Sequence, residues 1–479
     1  MPASEAIPDR VRLREGRRIE RSAADFIGRL ACGAAKAGIW GLGYLGYHNL
    51  VRLLARQVSC VVTDTVAERL DRVAEAGFVE DVLHNYHGFR VSDTGWNRPA
   101  VEVSEPSALA ARNDVSVHLV CVPTEKDGQP SDEPLTAVMQ VLAGSALGRA
   151  EEPVLIVLES SGAPGAIDRI VLPALRRAGH QVGRNVCVGA APRGDYGRSP
   201  FEDPAGCVRV VGGATKRCGE LLLQFYEFAG ARVRLAATHR EAELACAVFR
   251  GAQHLLMSYS NQLALAFGGA DVREVADLAA SIGPLSLGAP GLGSSGYFLP
   301  FSANHLRDSA DEPEMLTLVD EAFRCDLMMA GVVADRVVEA GVRRPAILGL
   351  SALADTRNHI QSPALRLARA FRGRLAEGYV CDPFYRDAEV ADLTGFSRLE
   401  WPEALDRCDG VVVVTGHRAF RIADGAELTR RLKNARLVLD CCGAWVGKGL
   451  AEAGVPYFAL GQPGWGGIAV STDFGVAGR

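Results

Sequence analysis

Apolar residues in this chain occur either in short unbroken runs or in longer stretches with helical spacing. A first run, Gly38–Trp40, leads into GLGYLG and then a helix-spaced segment over Tyr47–Arg56. A second run, Val58–Thr63, ends at Asp64 and is followed by a predicted helix over Ala67–Ala76. The runs Val115–Pro123 and Pro153–Ser160 have the unbroken apolar character of strands buried on both faces. Val186–Ala190 and Val208–Gly213 add two short strands. Helical spacing then dominates over Ala236–Phe267, Val272–Ser281 and Glu314–Ala340. From Arg344 the alternation resumes: strand PAILGLS, helix Pro363–Phe371, strand GYVCDP, then strands within Asp409–His417, Ala435–Cys442 and Val455–Leu460. Strands alternating with helices predict parallel sheets built from βαβ units. The pattern gives an α/β chain in four parts: an N-terminal extension over 1–36, an α/β domain over 37–215, a central helical region over 216–340 and a second α/β domain over 341–479. The arginine-rich extension reads as a solvated tail, with one helix over Ala23–Lys36 as its ordered alternative.

Composition narrows the function classes. With 48% hydrophobic and 23% charged residues, the 479-residue chain has ample material for a core and is not a disordered protein. A net charge of −5 supplies no basic footprint for nucleic acid or an anionic membrane. No apolar run approaches the ~18 residues of a membrane span, and the mixed-charge N-terminus lacks the apolar stretch of a secretory signal. The 12 cysteines are dispersed without a C-x-x-C pair, which reads as buried thiols in a reducing compartment rather than a disulfide frame or metal site. The expected location is the cytoplasm.

The sharpest local signal is G-x-G-x-x-G at Gly41, Gly43 and Gly46, between a predicted strand and a predicted helix. The first glycine makes the tight turn, the second admits a pyrophosphate to the backbone, and the third brings helix onto strand. The intervening Tyr44 and Leu45 are cofactor-binding candidates with the glycines, and the pyrophosphate would sit at the N-terminus of the following helix, where free N–H groups favour an anion. Asp64, at the end of the second strand, suits ribose hydroxyls and repels a 2′-phosphate, so NAD is favoured over NADP. This is a Rossmann-type dinucleotide-binding pattern.

The ordered series GIWGLGYLG, VCVPTEKDGQPSD, VLESSGAPG, AELACAVF with NQLALA, PGLGSSGYFLP, ILGLSALADTRNHIQSPAL, VCDP and VVVVTGH resembles the UDP-glucose/GDP-mannose dehydrogenase family over about residues 38–470. The resemblance implies an N-terminal Rossmann domain holding NAD, a long central helix within a helical dimerisation region, and a C-terminal Rossmann-like domain for the nucleotide-sugar. It also implies oxidation of a sugar alcohol to the acid with two NAD, through a thioester on a cysteine. On the cofactor side Pro123 and Thr124 match the family threonine segment beside the nicotinamide half. Ser160 and Ser161 stand where the family has E-S-T-V, and keep its hydroxyls.

The catalytic side departs from the family. Phe298 takes the place of the nucleophilic cysteine and Ser302 that of an aspartate. Cys246 stands at the family lysine and Arg250 at the asparagine four residues on; Arg193 replaces a glutamate. In the third domain Leu353 replaces a lysine and Ile360 an arginine, while Cys441–Cys442 alters another part of the substrate site. A phenyl ring forms no thiohemiacetal, so acid formation by the family route is closed at that position. Arginine is no base, but its fork takes carboxylate or phosphate. Arg193 and Arg250 therefore either meet an anionic substrate group or pair with local acids such as Glu202 and Glu243. Tyr297 and Phe298 offer aromatic surface to a sugar or base, or fill space; Asn261 is a further substrate-binding candidate. Cys246, Tyr297 and His254 are the weak catalytic candidates, and His305 is a second histidine suited either to proton transfer or to structure. His417 is expected at a strand end, in an architectural role or at the nucleotide. The expected function is NAD-dependent oxidation at a CH–OH group of a nucleotide-sugar or related sugar or nucleoside, two-electron or redox-neutral, by a homodimer. The alternative is a non-catalytic homologue that binds NAD or nucleotide-sugar as sensor or scaffold.

Overall fold

The computed structural model describes residues 24–87, 99–126, 129–149, 152–193, 208–283, 287–296 and 299–465. The chain divides into two compact units, Met1–Phe249 and Arg250–Arg479.

The first unit is organised by a sheet of eight strands: β1 (Lys36–Trp40), β2 (Cys60–Thr63), β3 (Val101–Val103), β4 (Val115–Val120), and then β7 to β10, which follow a small ribbon of β5 (Glu125–Lys126) and β6 (Gln129–Pro130). These later strands are β7 (Val154–Leu158), β8 (Val186–Ala190), β9 (Val208–Gly213) and β10 (Arg232–Leu235). The order is β10-β9-β8-β7-β4-β1-β2-β3, parallel throughout except between β8 and β9. The chain direction along the sheet reverses between β1 and β4, the place where open α/β sheets bind ligands. Alternate residues feed two cores. Ile39, Val62, Leu119 and Val157 pack on one face, with Leu50 and Leu54 of α1 (Tyr44–Ala55) and Phe225 of α2 (Lys216–Phe228). Trp40, Val61, Val120 and Ile156 pack on the other, against the helix Glu133–Ala143. Helix α3 (His239–Ala266) follows β10.

The second unit carries α4 (Thr317–Glu339), β11 (Pro345–Leu348), α5 (Pro363–Phe371), β12 (Tyr379–Cys381), β13 (Ser397–Arg398), β14 (Gly410–Val413), β15 (Leu437–Asp440) and β16 (Tyr457–Ala459). Its all-parallel sheet, β13-β12-β11-β14-β15-β16, has the doubly wound order of a dinucleotide fold, with its reversal between β11 and β14. Ser362 caps α5 through the amide of Ala364, with Pro363 in the first turn, where a missing N–H costs nothing.

The α/β fold class expected from the sequence is what the chain adopts. The N-terminal extension needs correction: residues 24–31 are helical, and Phe26 and Leu30 are buried in the first core, so this part is no solvated tail. Several strands are also shorter than their apolar runs. The run to Pro123 leaves the sheet after Val120, the run to Ser160 after Leu158, and the run to His417 after Val413.

Candidate functional site

Gly41 adopts φ +93° directly after β1, and a Cβ there would lie 2.6 Å from the carbonyl oxygen of Cys121. Only glycine lets the turn after β1 pass this close to the loop after β4. A Cβ on Gly46 would sit 1.8 Å from the Gly41 oxygen, so this glycine lets α1 close onto the turn. Around Gly43 a Cβ would meet nothing within 4 Å. Gly43 is also the N-cap of α1 and supplies no capping side chain, a helix start of the kind that suits an anion. Tyr44 and Leu45 occupy the first turn, half-buried.

Asp64 ends β2 and turns back over this loop. Its Oδ2 accepts the amide N–H of Leu42 at 2.5 Å and its Oδ1 that of Val66 at 2.8 Å. Arg69 reaches the same carboxylate at 3.3 Å. Sequence reasoning missed Arg69; its signal is a cation five residues beyond the acid, on the helix Ala67–Ala74.

On the other side of the reversal, Pro123 is exposed and Thr124 half-buried. The Thr124 hydroxyl lies 3.4 Å from the Ser161 carbonyl, and Ser160 Oγ donates to the Val122 carbonyl at 2.7 Å. The Oγ of Ser161 is buried with no hydrogen-bond partner among the described residues. A buried hydroxyl left this way suits a ligand's polar group. Glycine cradle, open helix start and unpaired hydroxyl together fit a dinucleotide. Beneath them lies Glu159, also missed: fully buried, it takes Arg209 at 2.9 and 3.2 Å and accepts from the Tyr226 hydroxyl.

Arg193, three residues beyond β8, is buried, with Nη2 3.2 Å from His48 Nδ1 on α1. Its carbonyl accepts the Cys246 thiol at 3.7 Å. Glu243, one of the two acids proposed for it, instead accepts the amides of Gly165 at 2.8 Å and Ile167 at 3.2 Å. Burial pushes the Glu243 carboxyl up, and these two amides oppose the shift. Glu202 lies outside the described residues.

In the second unit the glycine-rich loop is held from several sides. Asn261 Oδ1 accepts the Gly291 amide at 2.8 Å, Asp326 on α4 accepts the Ser294 amide at 2.8 Å, and Gly296 donates to the Ile360 carbonyl at 2.9 Å. Asn261 thus serves the loop with one end of its amide, while its buried Nδ2 has no partner among the described residues. Arg366 on α5 donates to the Ser294 carbonyl at 2.6 Å. Burial raises the Asp326 carboxyl, but His254, Arg366 and Ser294 outweigh it and hold the group below the usual carboxylate range. His254 is fully buried, 3.4 Å from Asp326 and edge-on to Phe323, a packed position rather than a substrate surface. Ser302, His305 and Arg250 are buried as well. Tyr297 and Phe298 lie outside the described residues.

His417 is architectural. Its Nδ1 accepts the Asp355 amide at 2.9 Å, so the proton sits on Nε2, which donates to Asp382 at 2.9 Å. Asp382 also takes the amides of Leu350 and Ser351, fixing the turn after β11. Leu353 and Ile360 are half-buried beyond that turn. Cys441 is buried and Cys442 half-buried, in a turn whose amides from Cys442 to Trp445 all point at Asp440. Among the described residues no cluster of histidine, cysteine and acids suits a metal ion, and no helix is long and apolar enough to cross a membrane.

Residues 346–446 match the UDP binding domain of the UDP-glucose/GDP-mannose dehydrogenase family. The chain is 27% identical over 429 residues to an NDP-N-acetyl-D-galactosaminuronic acid dehydrogenase of Ralstonia solanacearum, covering 86% of this chain and 96% of that protein. It is 25% identical over 382 residues to a GDP-mannose 6-dehydrogenase of Pseudomonas aeruginosa, covering 76% and 84%. In fold it is similar to a UDP-D-ManNAc dehydrogenase from Pyrococcus horikoshii, with TM-score 0.72 at 19% identity over 89% of this chain and 99% of that one.

Proposed function

From the premise that this chain belongs to the UDP-glucose/GDP-mannose dehydrogenase family, we propose that it oxidises a CH–OH group of a nucleotide-sugar in a single two-electron step or a redox-neutral cycle. Its cofactor is NAD, whose nicotinamide, when bound, takes up a hydride from a carbinol carbon. We assign Gly41, Gly43, Tyr44, Leu45 and Gly46 to the pyrophosphate, Asp64 with Arg69 to the adenosine ribose, and Pro123, Thr124, Ser160 and Ser161 to the nicotinamide half. The observation that carries the reading is the open Gly43 position at an uncapped helix start, beside a glycine turn no other residue could make.

Cofactor binding is assigned to 37–215, dimerisation to 216–340 and the nucleotide-sugar to 341–479. Arg193, Arg250, Asn261, Tyr297, Phe298 and Ser302 are the substrate-side residues of this reading. With phenylalanine at 298, no thioester forms there, and the four-electron route to an acid is lost. A homodimer is supported by apolar side chains exposed on α3, among them Leu244, Val248 and Tyr259. The described cysteines are all free thiols, which supports the cytoplasm as location.

The test incubates the protein with NAD and a panel of nucleotide-sugars, counting NADH and identifying the product by mass spectrometry. One NADH per ketosugar, or a converted sugar with no net NADH, supports the reading; two NADH per uronic acid overturns it. The burial of His254 and Ser302 favours a second reading, a non-catalytic sensor or scaffold. That reading requires NAD to raise the melting temperature while no sugar of the panel is turned over.

A further inference from the structure

We propose that Cys187 and Cys218 are a peroxide-responsive pair, two resident thiols placed to close a disulfide between β8 and the first turn of α2. Neither residue belongs to the cofactor or substrate side assigned above, so the pair stands whatever the chain oxidises.

The way α2 docks on the sheet brings both sulfurs to one place. Along β8, Val186 and Val188 feed one core, while Cys187 feeds the other, which also takes Cys218, Leu221 and Leu222 of α2. The approach is close: a Cβ on Gly213 would lie 2.1 Å from the amide nitrogen of Gly219, the neighbour of Cys218. Strand β9 pairs with β8 only from Gly189 onward. The Val188 amide lies short of that pairing and donates to the Cys218 sulfur at 3.4 Å. This contact sets the Cys218 sulfur beside the backbone of Cys187, whose thiol also donates to it. Thr215, the N-cap of α2, supplies a third donor: its hydroxyl is 3.0 Å from the same sulfur, and its oxygen accepts the Cys218 amide at 3.3 Å.

Three donors on one sulfur divide the roles. The thiolate, not the thiol, is the nucleophile. The hydrogen bond from Cys187, followed by those from Thr215 and Val188, holds the Cys218 thiol below its ordinary value against burial, and the same contact pushes Cys187 up. Cys218 is therefore the attacking sulfur and Cys187 the resolving one. Cys218 attacks one oxygen of a peroxide; the O–O bond breaks, water leaves, and Cys218 becomes a sulfenic acid. Cys187 then attacks that sulfur; the S–S bond forms, the S–O bond breaks, and a second water leaves. The two thiols give up two electrons and two protons, and the peroxide takes them. Both residues are fully buried, so peroxide enters as the start of α2 opens, and reaction is slower than at the exposed Cys32.

The experiment treats the full native chain with hydrogen peroxide, caps the remaining thiols with N-ethylmaleimide and maps unreduced peptides by mass spectrometry. Peptides linked through Cys187 and Cys218 are expected, about 2 Da lighter than the two thiol forms together, and dithiothreitol should return both thiols. The linked form should melt above the reduced one, because the bond constrains the unfolded chain. Cys187→Ser should leave Cys218 as a sulfenic acid that dimedone traps, whereas Cys218→Ser should leave Cys187 without a dimedone adduct. No linked pair after about ten times the exposure that consumes Cys32, or a linked pair only in guanidinium, overturns the proposal. A linked form that melts below the reduced one overturns it as well, since the fold would then oppose the bond. Dimedone on Cys187 in Cys218→Ser overturns the order of attack. The map of the parent decides the pairing even where a variant fails to fold.

Discussion

The carboxylate of Asp64 accepts the amide of Leu42 at 2.5 Å, so the residue expected to receive the ribose also shapes the turn that would receive the pyrophosphate. The same device recurs in the second unit, where Asp382 at the end of its second strand accepts the amide of Leu350 at 2.7 Å. The two acids differ in what else they meet: Arg69 for Asp64, and the buried His417 for Asp382. Asp64→Asn leaves an oxygen for one amide but removes the charge that orients Leu42, Val66 and Arg69. Losing charge-assisted hydrogen bonds of this kind costs about 1–3 kcal/mol. NAD affinity should fall at least tenfold by calorimetry, and the cofactor-free protein should melt lower. Unchanged NAD affinity would remove Asp64 from the site.

Gly43 and Gly46 separate folding from binding. At Gly43 an added methyl group meets no protein atom, whereas at Gly46 it meets the Gly41 carbonyl at 1.8 Å. Gly46→Ala should lower stability by about 1–3 kcal/mol or more, as overpacking does, and lose NAD through the distorted turn. Gly43→Ala should melt like the parent without cofactor yet lose most of the NAD-induced rise in melting temperature. Differential scanning fluorimetry with and without NAD reads both. A Gly43→Ala protein that binds NAD normally would mean that the diphosphate lies elsewhere.

Much of this was legible from residue order alone. The glycine spacing marked the first sheet and the unbroken apolar runs marked both, because those runs are too short for helices and are bounded by turn residues. Strand ends were not legible. Cys121, Glu159 and Thr415 lie just past the last strand residues, still buried and still donating their amides to the neighbouring strand, so nothing in residue type marks where the regular ladder stops. Glu159 was hidden for a related reason: its partners Arg209 and Tyr226 lie 50 and 67 residues away, and no local pattern announces them. Phe26 and Leu30 were masked by the arginines that precede them.

The Asp382–His417 pair sets an acid limit on stability. Burial would raise the Asp382 carboxyl, but the His417 hydrogen bond and the amides of Phe384 and Ser351 hold it below its ordinary value of 3.8. A depressed carboxyl contributes stability above the unfolded-state value and loses it as pH falls through the folded one. The contribution of Asp382 should therefore be complete at pH 7 and fade below about pH 4. Asp382→Asn should cost about 1.5–3 kcal/mol at pH 7, the range for losing hydrogen bonds to a charged group. The gap between parent and variant should narrow between pH 4 and pH 2.5 in urea titrations. A constant gap across that range would show that Asp382 is not depressed.

Cys246 tests whether any sulfur chemistry survives. Its thiol points at the Arg193 carbonyl, as a donor in a structural contact. Cys246→Ala should leave any NAD-linked turnover within about twofold, since the lost contact is a weak S–H hydrogen bond. No covalent sugar adduct should appear by intact-protein mass spectrometry when the parent is trapped during turnover. An adduct on Cys246, or loss of activity beyond a hundredfold in the alanine variant, would restore a thiol mechanism to this chain.

The exposed face of α3 tests the dimer. Leu244 and Val248 stand one turn apart on this helix, about half exposed, with Tyr259 exposed further along it. Burying an aliphatic side chain of this size is worth ~1.5–3 kcal/mol, so leaving a row of them in water is costly for a single copy. Light scattering on the parent at micromolar concentration should give twice the chain mass of 51.0 kDa. Leu244→Asp with Val248→Asp should give the chain mass itself. Both residues precede the division between the units and lie outside the assigned cofactor loops, so NAD binding should persist in the double variant. A parent that stays monomeric, or a double variant that stays dimeric, would move the interface off α3.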